Sequence, residues 1–150
     1  RSSYQQLLLR QALSGETVEH FMTENPVCVT PSLRLDELVE QYIYRYHHKL
    51  FPVVDDNGQL TGCITTRQIK ETPSAEWPTR TVAEAMIACS DANTIAPTAD
   101  AMHALARMNR TRTSRLMVVD NGQLAGIITL KDLLEFFALK VELEDAGGLN

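Results

Sequence analysis

Apolar and polar positions follow two periods along this chain, and the whole arrangement occurs twice. Leu35, Leu38, Val39, Tyr42, Ile43 and Tyr46 fall at i, i+3, i+4, i+7, i+8 and i+11, which predicts one apolar stripe of an amphipathic helix. Ala101, Ala104, Leu105 and Met108 make a thinner stripe of the same kind. After each stripe come two short apolar runs joined by Asn57-Gly58 or Asn121-Gly122. Asn-Gly between apolar runs is the strongest short-range hairpin signal, because both residues tolerate the left-handed backbone of a tight turn. A final helix is expected from Thr65 and again from Thr129. Short helices are expected at Val18 to Met22 and Val82 to Ile87, and short strands at Val27 to Val29 and Thr94-Ile95. Pro31-Ser32 and Pro97-Thr98 offer a hydroxyl residue to cap the helix that follows.

The recurrence is close. Pro52-Val53-Val54-Asp55-Asp56-Asn57-Gly58-Gln59-Leu60-Thr61-Gly62-Cys63-Ile64-Thr65 returns as Met117-Val118-Val119-Asp120-Asn121-Gly122-Gln123-Leu124-Ala125-Gly126-Ile127-Ile128-Thr129. Gly62 and Gly126 are 64 positions apart and Val54 and Val119 are 65 apart, because the first turn carries one extra acid, Asp56. Thr17-Val18 with Met22 is echoed by Thr81-Val82 with Met86, and Pro31 by Pro97. The reading is an α+β fold of two β-α-β-β-α repeats packed pseudo-symmetrically into one module, with a helix in front. Residues 1–16 form an N-terminal helix and connection from an upstream region, 17–72 the first repeat and 73–80 a linker broken by Pro73 and Pro78. Residues 81–140 form the second repeat and 141–150 a C-terminal tail. One such unit is small for a closed core, so two would share one, and the cleft between them is the natural place for a ligand.

Composition narrows the class. With 44% hydrophobic and 22% charged residues the chain is an ordinary globular protein, not a disordered one. No apolar run approaches the roughly 18–20 residues that cross a bilayer, so direct membrane insertion is not expected. A net charge of −5 argues against nucleic acid as a partner. Cys28, Cys63 and Cys89 lie far apart without CxxC spacing, which suits unpaired thiols in a reducing compartment. The first residue is Arg1, so the chain reads as a piece of something longer. No HExxH, GxSxG, P-loop or GxGxxG occurs, and no nucleophile–base set, so no catalytic residue is assigned. His47-His48, with His20 and His103 distant, lack acidic or Cys partners at ligand spacing, and no metal site is expected. Arg107, Arg110, Arg112 and Arg115 cluster within nine residues; Arg107 and Arg110 read as solvated helix-end cations. Trp77 beside Pro78 reads as a packed anchor of the linker.

The doubled segment, with Thr129-Leu130-Lys131-Asp132 after it, resembles a tandem pair of CBS domains, the Bateman module, over about residues 17 to 140. That resemblance implies a regulatory, non-catalytic module that binds an adenosine ligand (AMP, ADP, ATP or S-adenosylmethionine) in the inter-repeat cleft, controls an attached domain and dimerises. It carries over Thr129 and Asp132 as the [ST]xxD pair: a hydroxyl at a helix mouth and a carboxylate one turn on, suited to a ribose diol. A capping box is the competing use of the same two residues. Arg115, with Ser114 beside it, is placed for phosphate, with Lys49 read as its match in the first copy. Thr30 and the backbone near Ile127 would border base and ribose. The first copy has Thr65-Thr66-Arg67-Gln68, with Gln68 where Asp is expected, so a weaker second site is expected at Thr65 and Gln68.

A narrower resemblance rests on Tyr4-Gln5-Gln6-Leu7-Leu8-Leu9, on Tyr44-Arg45-Tyr46-His47-His48-Lys49-Leu50-Phe51-Pro52 and on Glu76-Trp77-Pro78. These are similar to the CBS-bearing cytosolic tail of site-2-protease-type membrane zinc peptidases. The implication is a cytoplasmic location, with the zinc motif and membrane helices before Arg1. Leu133, Leu134, Phe136, Phe137, Leu139, Val141 and Leu143 make the closing helix apolar on several sides, which points to a homodimer. The alternative function is a ligand-free dimerisation or docking module.

Overall fold

The structure, a computed structural model, describes residues 3–148, with side chains at 4–144; residues 1–2 and 149–150 of the expected terminal segments lie outside it. Its elements are α1 (Ser3–Leu13), a 3-10 turn (Val18–His20), β1 (Thr23–Glu24), α2 (Leu35–Leu38), a π-helical turn (Val39–Ile43), α3 (Tyr44–Tyr46), β2 (Leu50–Val54), β3 (Leu60–Thr65) and α4 (Thr66–Glu71). A 3-10 stretch (Ser74–Thr79) leads to α5 (Val82–Ala85), β4 (Ile87–Ala88), β5 (Thr94–Ile95), α6 (Ala101–Thr111), β6 (Arg115–Asp120), β7 (Gln123–Thr129) and α7 (Leu130–Gly148). The chain is therefore α+β, as its sequence predicts. No described helix is long and apolar enough to cross a membrane.

Two compact units result, and they are not the two sequence repeats. One comprises residues 1–24, 92–120 and 125–150; the other comprises 25–91 and 121–124. Each unit thus holds the leading segment of the opposite repeat. In the first unit the sheet order is β1-β7-β6-β5. Thr23 pairs antiparallel with Ile127, and Thr94 and Ile95 pair parallel with Met117 and Val118. Leu13, Val18, Met108, Leu116, Val118, Ile128 and Leu133 close its core. In the second unit β2-β3-β4 form the sheet, with Cys63 opposite Ile87. Val29, Leu35, Leu38, Phe51, Val53, Ile64 and Val82 close the core there. Val18 and Val82, the matching apolar residues of the two leading segments, are both fully buried.

Several local expectations change. Ile87 and Ala88 are strand, not the end of a helix. The expected strand at Val27 to Val29 is a single parallel bridge from Val29 to Val53, although Val29 N–H and the Pro52 carbonyl still bond at 2.9 Å. The helical stripe of the first repeat is interrupted by the π turn: Leu35, Leu38 and Val39 are buried, whereas Tyr46 is exposed. Asp100, not Thr98, caps α6, its Oδ1 accepting from Met102 N–H at 2.8 Å. Trp77 is half-buried against the second core and donates Nε1–H to the Thr72 carbonyl at 3.0 Å. Helix α7 continues into the segment read as a C-terminal tail, as far as Gly148.

Candidate functional site

In the first unit the hairpin β6-β7 carries both ends of the candidate site. Arg115 opens β6 and Thr129 closes β7, so the pairing of these strands sets the two ends side by side. The Leu130 N–H donates to the Ser114 carbonyl at 2.8 Å, which fixes the start of α7 against the residue before β6. Arg115 Nη1 donates to Ser114 Oγ at 2.6 Å, leaving the remaining guanidinium N–H groups available. Thr129 Oγ1 accepts the Asp132 N–H at 3.1 Å, half of a capping box. The other half does not form: the half-buried Asp132 carboxylate has no hydrogen-bond or ion-pair partner among the described residues. Ser114, Arg115 and Thr129 share a shallow depression of about 500 Å³ with Lys131 and Glu135. Ile127, half-buried, lies two residues before Thr129 on the same face of β7, as the period of a strand requires.

Thr30, Lys49, Thr65 and Gln68 belong to the second unit. There the capping box is complete. Gln68 Oε1 accepts both Thr65 N–H at 2.7 Å and Thr65 Oγ1–H at 2.8 Å, and Thr65 Oγ1 accepts Arg67 N–H at 3.2 Å. The Gln68 side chain is buried and its acceptor is already used. Thr30 and Lys49 are exposed. The Lys49 carbonyl accepts the Thr66 N–H at 3.1 Å, the role Ser114 plays in the other repeat. Lys49 therefore stands in the place of Ser114; the match to Arg115 is Leu50, which opens β2 as Arg115 opens β6.

Arg107 differs from its sequence reading, and Lys131 had none. Arg107 is half-buried instead of solvated: Nη1 donates to the Thr94 carbonyl, and the buried Nε has no hydrogen-bond partner. Lys131, inside the quoted Thr129–Asp132 segment, was not singled out by the pattern, yet it lines the depression with Arg115. A basic residue flanking the motif was the available signal. Elsewhere, His48 stacks on Tyr46 at 5.9 Å and His20 bonds Glu16 at 2.7 Å. Among the described residues no three His, Cys, Asp or Glu side chains gather as metal ligands would. Burial, with the nearby Cys89 adding to it, pushes the Cys63 thiol up to about 12, so it is no nucleophile near neutrality.

Two consecutive stretches, residues 18–74 and 78–139, each match the family model of the CBS domain. A zinc metalloprotease of Methanocaldococcus jannaschii, MJ0392, is 33% identical over 127 residues, 83% of this chain and 34% of the protease. An inosine-5'-monophosphate dehydrogenase of Mycobacterium leprae is 35% identical over 142 residues, 92% of this chain and 26% of the dehydrogenase. The chain thus spans about a third or less of the length of these curated relatives. Among solved structures, the CBS domain of the bacterial CNNM/CorC family Mg2+ transporter in complex with ATP has a TM-score of 0.73 at 21% identity, covering 89% of this chain and 97% of that one.

Proposed function

The chain belongs to the CBS domain family as two copies of that domain in tandem, and on that premise we propose that it is a regulatory module binding an adenosine nucleotide at the second-repeat motif. The observation that carries this reading is the unpartnered, half-buried Asp132 carboxylate one turn from Thr129. A carboxylate kept out of its own capping box can accept both hydroxyls of a ribose diol. Thr129 Oγ1, already an acceptor, still has its proton to donate. Arg115 and Lys131, in the depression that Thr129 shares with them and Glu135 but that Asp132 does not line, supply positive charge for phosphate, with Arg115 as the geometrically selective partner. The complex of the CNNM/CorC CBS domain with ATP supports the ligand class. In the first repeat, Gln68 is closed into its box with Thr65, so that site is weaker or empty.

The module acts by coupling: the nucleotide binds one arrangement of the parent protein better than another and shifts the balance toward it. The parent we favour is a membrane zinc peptidase with this module on its cytosolic side, supported by the likeness to MJ0392. The dehydrogenase relative carries a comparable pair on a different enzyme, so the ligand reading does not depend on the parent. The second reading, a dimerisation or docking module without ligand, is favoured by Leu134, Leu139 and Leu143, which are 44%, 54% and 60% exposed on α7. A thermal-shift screen with AMP, ADP, ATP, S-adenosylmethionine and adenosine separates the two. A ligand at 100 times its Kd adds about 2.7 kcal/mol, or roughly 5–10 °C in a domain of this size. Silence from all five compounds leaves the docking reading.

A further inference from the structure

A groove of about 720 Å³ lies between α1, α6 and the start of α7, inside one compact unit. That volume is within the roughly 300–1,000 Å³ typical of small-molecule sites. Leu9, Leu105 and Leu130 give it an apolar floor, against which one side of an alkyl chain is removed from water. Its charge has one sign. Arg10 and Arg112 line it, both exposed and neither in an ion pair among the described residues. No lining residue is acidic, although acids outnumber bases 19 to 14 in the chain. An apolar floor flanked by guanidinium groups and free of carboxylates selects an apolar body with an anionic head, and a planar carboxylate is the head that guanidinium pairs with bidentately.

From this we infer that the groove binds a single-chain anionic amphiphile, of which a fatty-acid carboxylate is the simplest. The inference is independent of the nucleotide reading. Calorimetric titration of the chain, without nucleotide, with laurate and with dodecyltrimethylammonium, both below their micellar concentrations, tests it. Laurate is expected to bind at least tenfold more tightly than the cation of equal tail length. The double variant Arg10→Gln/Arg112→Gly should lose at least tenfold in laurate affinity. Arg112 has φ 58°, where glycine is unstrained, so this variant keeps the helix end while removing both guanidinium groups. Ala106→Trp, which fills the groove from an exposed position on α6, should abolish binding while circular dichroism stays unchanged. Equal affinity for the two amphiphiles, laurate binding that survives Ala106→Trp, or no binding by the folded chain each overturns the inference. So does a dimer that Ala106→Trp dissolves while laurate leaves it intact, which would give the groove to a second copy.

Discussion

Gly62 and Gly126 show at single residues what joins the repeats' leading segments to the sheets. A Cβ built on Gly62 collides with the Ile87 carbonyl, and one on Gly126 with the Thr23 carbonyl. In both cases the obstacle is backbone, which cannot swing aside as a flexible side chain does. Gly126→Ala and Gly62→Ala should each cost about 1–3 kcal/mol, as overpacking does, measured by urea unfolding; a cost under a few tenths would contradict the crossing of β1 and β4 at these points. A glycine inside a strand pattern signals close backbone approach, but the sequence does not say which segment approaches. Cys63 gives a pH signature. Its thiol is held at about 12, above the ordinary 9.0, so the folded state favours the neutral form. The stability this represents is intact below pH 9 and is lost as pH rises from 9 toward 12, by at most about 1.4 kcal/mol per unit. Cys63→Ala should be less stable near neutrality and show a shallower alkaline decline in thermal melts between pH 8.5 and 10.5.

Among the elements, the hairpins and the longer helices α6 and α7 were legible because their signals are local, whereas the short helices at Val18 and Val82 ended sooner than expected. In the second hairpin Asn121 and Gly122 have φ 50° and 80°, the pair of left-handed residues that Asn-Gly predicts. In the first, the extra Asp56 lengthens the turn, and Asp55 Oδ1 accepts the Asn57 and Gln59 N–H groups, each at 2.9 Å. The two-residue strands β1 and β4 were not legible: they show no alternation and owe their pairing to partners distant in sequence. The strand at Val27 to Val29 shrank to a bridge for the complementary reason, a short apolar run reading the same whether or not a neighbour pairs with it. Helix α3 ends at His47 with φ 62°, as α6 ends at Arg112. His47 is exposed, so His47→Gly should raise stability by about 0.5–1 kcal/mol by relieving the left-handed cost. His47→Val should lower it, and chemical denaturation of both resolves the sign.

For the whole molecule, the candidate site was legible as a motif but not as an arrangement. Thr129, Asp132, Ser114 and Arg115 could be named from the resemblance to CBS pairs, Ser114 and Arg115 lying before the doubled segment and Asp132 after it, whereas the closure of Gln68 by Thr65 and the opening of Asp132 depend on side-chain geometry that composition does not carry. The same holds for α7, whose excess of apolar residues was visible, but whose division into buried Leu133 and exposed Leu139 came from packing. If α7 mediates a homodimer, light scattering will report twice the mass of one chain, and Leu139→Glu will return the mass of one. A single-chain mass at every concentration would remove the dimer. The central claim is that one nucleotide site dominates and that Asp132 anchors it. Calorimetric titration of the intact chain, Asp132→Ala and Gln68→Ala with the tightest nucleotide of the screen tests it most directly. Asp132→Ala should weaken binding by roughly 1.5–3 kcal/mol, the range for a hydrogen bond to a charged group, while Gln68→Ala changes affinity by less than about 0.5 kcal/mol; equal losses in the two variants, or full affinity without Asp132, would contradict it.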